Sequence, residues 1–191
     1  MSDLPSSEPQ RRVLLPLDGH IVLVGLPGAG KTTIGKAVAK VLGRPFLDFD
    51  SEIERRAGKT VGRIFAEEGE AAFRAWEVAL TRELAAAPPM MLAPGGGWVT
   101  NSGVVDLIRP PGRIVHLRIS PEAALRRLTR SRIVRPLLRT ADPGATISHL
   151  WESRAQLYAT ADLVINVEVV DTQRVVEQIT VLARGLTPKL G

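Results

Sequence analysis

The sequence predicts a three-layer α/β/α domain, in which helices cover both faces of a doubly wound, five-stranded parallel sheet. Two observations support this prediction. Short, continuous apolar runs alternate along the chain with segments whose apolar residues recur at helical spacing. The apolar runs also lack the alternating polarity of a half-exposed antiparallel strand, which indicates strands that are buried on both faces.

The predicted strands, in chain order, are Ile21–Val24, Pro45–Leu47, Met90–Ala93, Ile114–Leu117 and Leu163–Asn166. A glycine-rich turn follows the first strand, and Thr33 to Leu42 then shows helical spacing. After the second strand, Ser51 followed by Glu54 matches a capping box, so we expect Ser51 to cap the next helix.

The length of 191 residues fits one ordinary domain with a sizeable core. Residues 1–18 are polar and contain prolines, and we expect them to form a flexible N-terminal arm. The single domain is predicted over residues 19–185, followed by a short tail over 186–191. Within the domain, the stretch from about 129 to 144 is rich in arginine and proline, interrupts the strand–helix pattern and is a candidate mobile lid.

The composition excludes several classes of site and location. Cysteine is absent, so disulfides, zinc–thiolate sites, iron–sulfur clusters and a catalytic thiol are excluded. The longest apolar stretches fall well short of the ~20 residues that a membrane-spanning helix needs, and the N-terminus does not resemble a secretory signal. We therefore expect a cytoplasmic protein that makes no membrane contact and acts as a monomer.

The charge balance is basic, with 25 Lys+Arg against 20 Asp+Glu and a net charge of +5. Several arginines crowd one stretch of the chain: Arg126, Arg127, Arg130, Arg132, Arg135 and Arg139. Arginine suits two-point contacts to phosphate or carboxylate, so the partner is either a small anion or a nucleic acid. Aromatic residues are only 4% and do not alternate with basic ones, which favours the small anion and predicts no nucleic-acid partner.

The segment from Gly25 to Thr32 fits G-x-x-x-x-G-K-S/T and stands between a predicted strand and a predicted helix. The backbone N–H groups of such a loop point into one anion-sized hollow at the positive end of the helix. The motif predicts a P-loop NTPase that binds a nucleoside triphosphate and Mg²⁺, with Lys31 at the phosphates and the Thr32 hydroxyl at the metal. The residues predicted to bind the phosphates are Gly28, Ala29, Gly30, Lys31, Thr32 and Thr33. The alternative is a glycine-rich turn that merely carries a lysine.

Two carboxylates, Asp48 and Asp50, stand at the carboxyl end of the second predicted strand, where open α/β sheets bind ligands. If the chain is extended there, both side chains point the same way. One could hold Mg²⁺ beside Thr32 while the other accepts a hydrogen bond from a substrate hydroxyl. The alternative is an acidic surface turn.

Arg74 and Glu77 are neighbours three residues apart in a predicted helix. They could form an ordinary surface ion pair, or Glu77 could fix the Arg74 fork toward a substrate carboxylate. The run Gly95–Gly97 removes side chains where the backbone must approach something closely, although a plain loop is possible.

Taken together, these motifs resemble the shikimate kinase family, small P-loop kinases of the nucleoside-monophosphate-kinase fold that phosphorylate the 3-hydroxyl of shikimate with ATP. The resemblance covers about residues 20–180 and rests on GLPGAGKTT, FLDFDSEIE, IFAEEGEAAFRAWE, GGG and RPLL, in that order. Many kinases share the first motif. The order D-x-D, F-R-x-x-E and G-G-G is far more specific.

The resemblance implies a role for each matching residue. Lys31 would contact the γ-phosphate and the transition state, and Thr32 and Asp48 would form the Mg²⁺ shell. Asp50 would bind the shikimate hydroxyls and orient or deprotonate the attacking one. Arg135 would be the lid arginine that swings over the phosphates.

The same resemblance implies that Arg74 and Arg154 grip the shikimate carboxylate while the backbone of Gly95, Gly96 and Gly97 closes the pocket. Arg127 is the arginine that we favour as the adenine contact. Phe65 and Phe73 are similar to the apolar wall of the family's pocket, although either could be core.

Some residues depart from the family pattern. Trp98 follows the triple glycine, where a small residue is common, and Ala93 and Pro94 stand where a hydroxyl residue is expected near the metal. A hydroxyl contact to Mg²⁺-bound water would therefore be missing. The histidines lack the spacing of a metal site, so we expect a structural role for His20, His116 and His149.

Two other functions stay open at this point. One is a P-loop kinase of the same fold that acts on gluconate or on a nucleotide. The other is a nucleotide-dependent binding module, for which the basic surface is the main argument.

Overall fold

A computed structural model describes residues 18–130 and 140–185. Within these ranges, a five-stranded, all-parallel sheet has the strand order β2-β3-β1-β4-β5. The strands are β1 (Ile21–Val24), β2 (Phe46–Asp48), β3 (Met91–Ala93), β4 (Arg113–Arg118) and β5 (Leu163–Asn166). Three predicted segments lie wholly or partly outside the described residues: residues 1–17 of the arm, residues 131–139 of the lid, and the tail over 186–191. Arg135 therefore lies outside the described residues as well.

Helices cover both faces of the sheet. On the face that receives Ile21 and Leu23, the buried apolar residues come from α1 (Lys31–Leu42), α6 (Pro121–Arg130), α7 (Pro143–Glu152) and α9 (Thr172–Ala183). On the face that receives Val22 and Val24, they come from α2 (Phe49–Ala57), α3 (Val61–Glu67), α4 (Gly69–Ala85), α5 (Val104–Ile108), α8 (Ala155–Tyr158) and a 3₁₀ turn (Trp98–Thr100). The predicted three-layer, doubly wound fold is confirmed.

The central strand shows why continuous apolar runs predict this sheet. Every residue of β1 is at most 2% exposed, and successive side chains enter the opposite cores. A strand covered on both faces has no position for a polar side chain, so its sequence reads as an unbroken apolar run.

The prediction that Ser51 caps the second helix is wrong. Helix α2 begins at Phe49, and the Asp48 carboxylate caps it by accepting a hydrogen bond from the backbone N–H of Ser51 at 3.2 Å. Phe49 is fully buried, so the helix must start close to the end of β2 to bring this ring into the core. The capping-box pattern lies one turn too late because the strand leads directly into the helix.

Because the sheet is parallel, its loops collect the candidate residues at one edge. The glycine-rich loop follows β1, Asp48 ends β2, and Gly95 and its neighbours follow β3. The chain fills the β2 side of β1 before it crosses to β4 and β5, so the loop after β1 lies where ligands bind in doubly wound sheets. In the described part of the chain, no helix is long and apolar enough to cross a membrane.

Candidate active site

A cavity of about 1210 Å³ lies over the carboxyl edge of the sheet. Of the predicted site residues that the structure describes, all except Ala29 line it. Ala29 is fully buried and lines a second, smaller cavity of about 250 Å³ next to the glycine-rich loop. The large cavity therefore brings the predicted phosphate, metal and acceptor residues together.

Backbone conformation shapes the glycine-rich loop. Gly25, Gly28 and Gly30 have φ values of 142°, 87° and 90°, which side chains with a Cβ rarely adopt. At Gly25 a Cβ would also lie 2.5 Å from the carbonyl oxygen of Leu117. The curled loop that the motif predicts is present, and it leads directly into helix α1.

The ammonium group of Lys31 lies over this loop. Its Nζ donates hydrogen bonds to the carbonyl oxygens of Gly25 at 2.9 Å and Leu26 at 3.3 Å. Neutral carbonyl acceptors hold the cation at the loop, and phosphate oxygens would be stronger, charged acceptors for the same ammonium group.

Thr32 and Asp48 form the candidate metal site. The Thr32 hydroxyl donates a hydrogen bond of 2.7 Å to Oδ2 of Asp48, whose other oxygen, Oδ1, caps helix α2. Hydroxyl and carboxylate oxygens suit Mg²⁺, which is usually held by one or two such protein groups together with substrate phosphates and water. Ala93 and Pro94 also line the cavity and supply no hydroxyl, as the sequence indicates.

The expected geometry of the two aspartates needs correction. The chain is not extended between Asp48 and Asp50, because Asp50 already lies in the first turn of α2. Both carboxylates nevertheless line the same cavity. The turn from strand to helix leaves Asp48 at the metal side and places Asp50 near the triple glycine, where a Cβ on Gly95 would lie 3.2 Å from Oδ1 of Asp50.

Arg74 lies between two carboxylates of its own helix. Its Nη1 donates to Oε2 of Glu77 at 2.6 Å, while Nε and Nη2 donate to Oε1 of Glu70 at 3.1 and 2.8 Å. Glu77 is fully buried, whereas the Glu70 side chain is 65% exposed. The pair with Glu77 is thus not a surface ion pair, and sequence reasoning missed Glu70 altogether.

Burial dominates the electrostatics of Glu77. Desolvation raises the pKa of its carboxyl group, and the opposite charge of Arg74 and the hydrogen bonds from Arg74 and Asn101 act against that rise. Among the described residues, Oε1 of Glu77 has no hydrogen-bond partner. An unpaired buried carboxylate is costly, so Glu77 depends on Arg74 for its charge compensation.

Each glycine of the triple glycine lies against a charged side chain. A Cβ on Gly95 would lie 3.2 Å from Oε1 of Glu77, and one on Gly96 would lie 3.1 Å from Nη1 of Arg154. A Cβ on Gly97 would overlap the guanidinium group of Arg74. The backbone approaches these groups closely, which disfavours a plain loop.

Trp98 is fully buried and points away from the cavity. Its indole Nε1 donates to the hydroxyl of Thr81 at 2.8 Å, and that hydroxyl donates to the backbone oxygen of Glu77 at 2.7 Å. The bulky residue after the triple glycine therefore joins this loop to helix α4. No signal in the sequence pairs Trp98 with Thr81.

Arg154 lines the cavity, and Tyr158 lies in the core beside it. Arg154 is 9% exposed, and the Tyr158 hydroxyl donates to the carbonyl oxygen of Gly96 at 2.8 Å. Burial raises the pKa of Tyr158, and Arg154 opposes this rise. The His116 ring stacks on Tyr158 with 4.6 Å between ring centroids.

His20 and His116 are buried, whereas His149 is exposed. His20 accepts a hydrogen bond from the backbone N–H of Met90 at 3.1 Å, and its other ring nitrogen lies 2.8 Å from the Leu84 carbonyl oxygen. Burial, together with Arg118 and Lys31, lowers the pKa of His116 to about 4. His149 is exposed near the end of α7, and residues 18–130 and 140–185 contain no His, Cys, Asp and Glu cluster that could hold a metal.

Arg127 connects the two cavities. It lines both, and its Nη2 donates to the carbonyl oxygen of Val167 at 2.6 Å. This bond fixes the guanidinium group beside the loop that follows β5.

Phe65 and Phe73 line the large cavity as a ring pair with 4.9 Å between centroids, and the Arg74 guanidinium lies 5.6 Å from the Phe73 ring.

Comparisons with known proteins agree with this geometry. A family model described as shikimate kinase matches residues 27–183. A shikimate kinase of Bordetella pertussis is 45% identical over 92% of this chain and 80% of its own length. One of Pseudomonas syringae pv. syringae is 43% identical over 89% of this chain and 99% of its own length.

A solved structure, the shikimate kinase of Acinetobacter baumannii in complex with shikimate, superposes with a TM-score of 0.81. It is 36% identical, and the match covers 94% of this chain and 97% of the other. The sequence motifs, the cavity that unites them and these matches together show that the chain belongs to the shikimate kinase family.

Proposed function

We propose that this chain transfers the γ-phosphoryl group of ATP to the 3-hydroxyl of shikimate in the large cavity, with Mg²⁺ as the metal. One observation carries the proposal: the glycine-rich loop and the pair Arg74 and Asp50 line the same cavity. A phosphate donor and a hydroxylated carboxylic acid would therefore lie side by side. The shikimate kinase of Acinetobacter baumannii, which is similar to this chain, was solved in complex with shikimate.

On the donor side, the loop N–H groups and Lys31 would hold the β- and γ-phosphates. Thr32 and Asp48 would hold Mg²⁺, which when bound neutralises charge on those phosphates. The glycines already hold the loop backbone in its curled conformation, so its N–H groups would need little reorganisation as charge develops in the transition state.

On the acceptor side, Arg74 and Arg154 would bind the carboxylate of shikimate, and Asp50 would accept a hydrogen bond from its hydroxyl. The hydroxyl oxygen forms a bond to the γ-phosphorus as the bond from that phosphorus to the ADP oxygen breaks, and the hydroxyl proton passes to Asp50. The transition state of phosphoryl transfer is loose, so positioning by Asp50 matters more than its strength as a base.

Arg127 and Arg135 are the two further arginines that would contact ATP. Arg127 borders the smaller cavity next to the loop, which supports a contact with the adenine of ATP. Arg135 lies outside the described residues, and its role over the phosphates stays a prediction from the family resemblance.

The test measures ADP release from ATP and Mg²⁺ with shikimate, and in parallel with gluconate and nucleoside monophosphates. We expect turnover with shikimate alone, and a loss of about 10² to 10³ in kcat for Asp50→Asn, because one positioned proton acceptor is removed. Asp106→Asn is the matched control, since Asp106 is exposed in α5 and outside the cavity. Turnover with another acceptor only, or none with any, would overturn the proposal.

A further inference from the structure

Glu70 occupies the edge of the Arg74 guanidinium group to which a substrate carboxylate would bind. The Nε and Nη2 atoms of Arg74 form one edge of the guanidinium fork, and both donate to Oε1 of Glu70. The remaining nitrogen, Nη1, donates to Glu77. A planar edge with two parallel donors is the geometry that binds a carboxylate in two-point fashion.

The two glutamates differ in how firmly they are held. Glu77 is fully buried below Arg74, and Asn101 donates a second hydrogen bond to it at 3.0 Å. Glu70 lies in the first turn of α4, lines the cavity and has a side chain that is 65% exposed. Arg74 therefore has a fixed partner on the core side and a displaceable one on the cavity side.

We propose that Glu70 is an internal competitor for the carboxylate site of Arg74 and thereby helps to determine substrate specificity. In the free protein, its carboxylate occupies the guanidinium edge that receives the substrate carboxylate. Binding requires Glu70 to swing into solvent, and only a ligand with its own carboxylate replaces the hydrogen bonds that Arg74 loses. This inference rests on the proposed function.

The size of the effect follows from the exposure of Glu70. Ion pairs with one well-solvated partner contribute little, so displacement should weaken shikimate binding by only about two- to fivefold. Repulsion between the displaced Glu70 and the incoming carboxylate acts in the same direction. A ligand without a carboxylate leaves the pair intact and gains nothing from Arg74.

The experiment compares Glu70→Gln with wild type by titration calorimetry of shikimate without nucleotide, and by steady-state kinetics. We expect Kd and KM for shikimate to fall by about two- to fivefold, while KM for ATP does not change. With the methyl ester of shikimate, the variant should show no such gain. Glu67→Gln is the matched control, because Glu67 is a nearby exposed acid that pairs with Lys59 and Arg63 and does not line the cavity.

The outcomes separate the two proposals. Shikimate-dependent turnover with unchanged or weaker shikimate binding in Glu70→Gln would overturn the competitor role, because Glu70 would then support Arg74 rather than compete for it. An equal gain for the methyl ester would overturn it as well. Wild-type protein that neither binds nor phosphorylates shikimate would overturn the proposed function itself.

Discussion

The donor and acceptor halves of the cavity are built in different ways. The main part of the donor half, the glycine-rich loop with Lys31 and Thr32, is one contiguous segment from the end of β1 to the first turn of α1, shaped by three glycines with positive φ. Among the described residues, only Asp48 and Arg127 are added from other elements. The acceptor half takes Asp50 from α2, Arg74 from α4, the triple glycine after β3 and Arg154 from the turn before α8. Its conformation depends on side chains from separate elements that pack against one another.

The difference lies in which forces fix each half. Local backbone conformation sets most of the shape of the donor loop, and the close approach of Gly25 to the carbonyl oxygen of Leu117 is its main contact with a distant residue. The acceptor half needs a chain of tertiary contacts, among them Trp98 to Thr81 and Tyr158 to Gly96. Perturbing a remote core residue should therefore affect acceptor binding far more than ATP binding.

The largest expected effect separates the two halves by kinetics. Lys31→Ala should lower kcat by about 10³, because Lys31 would stabilise charge that develops on the transferred phosphoryl group. Arg74→Ala should instead raise KM for shikimate by roughly 10²-fold with a smaller change in kcat. Initial-rate kinetics with each substrate varied in turn measure both.

Lys36→Ala controls for the loss of a cation from the same helix, since Lys36 is exposed on α1. Circular dichroism must accompany Arg74→Ala, because Glu77 then stays buried without its cation. Similar kcat losses with unchanged KM in both variants would contradict the division into donor and acceptor halves.

An intermediate effect concerns the buried imidazole of His116. Its ring stacks on Tyr158, whose hydroxyl donates to Gly96 of the acceptor half. The pKa of His116 is about 4 in the folded protein against 6.5 as the ordinary value. Because the folded pKa is depressed, the unfolded chain binds a proton first as the pH falls, and stability is lost between pH 6.5 and pH 4. We expect protonation of His116 to lower the free energy of unfolding by about 2 kcal/mol between pH 7 and pH 5.

His116→Phe keeps a ring for stacking on Tyr158 and removes the titration. Urea unfolding at both pH values should show a smaller loss for the variant than for wild type. His20 is present in both proteins, so its own depressed pKa cancels in the comparison. Equal losses in both proteins would show that His116 does not carry the pH dependence.

The smallest expected effect tests whether the acceptor half depends on its supporting contacts. Trp98→Phe removes the hydrogen bond to Thr81 and should lower the free energy of unfolding by about 1 kcal/mol. It should also raise KM for shikimate several-fold while KM for ATP stays constant, because the triple glycine is joined less firmly to α4. Thermal unfolding and steady-state kinetics measure the two effects.

Trp76→Phe is the matched control, since this indole is partly buried against the same core and makes no hydrogen bond with its ring nitrogen among the described residues. Equal KM changes for both substrates in Trp98→Phe would indicate a general loss of packing. The special role of the Trp98 contact would then be rejected.

Much of the fold could be predicted because its signals are local. All of the predicted strands are present with nearly the predicted bounds, since a strand buried on both faces needs an unbroken apolar run. The first helix begins already at Lys31, ahead of the predicted Thr33, because Gly30 forms its cap directly after the loop. The Ser51 cap failed for a tertiary reason, namely the need to bury Phe49.

The acceptor half was predictable only as a set of residue types. The spacing of Arg74 and Glu77 indicates that they meet, but it does not indicate that Glu77 is fully buried and Glu70 is on the cavity side. Both glutamates lie within one turn of Arg74 along α4. The packing of α4 against its neighbours decides which of them loses contact with solvent.

By itself, the sequence determined the strands, the glycine-rich loop and the residue types of the site, because backbone conformation there depends on adjacent residues and on burial patterns of short range. Only the tertiary structure decided that Asp50 and Arg74 share a cavity and that Trp98 points into the core. It also decided that Glu70 accepts the hydrogen bonds from the cavity-side edge of the Arg74 guanidinium group. The direction and partners of a side chain are set by elements distant in the chain, and their packing is a property of the whole fold.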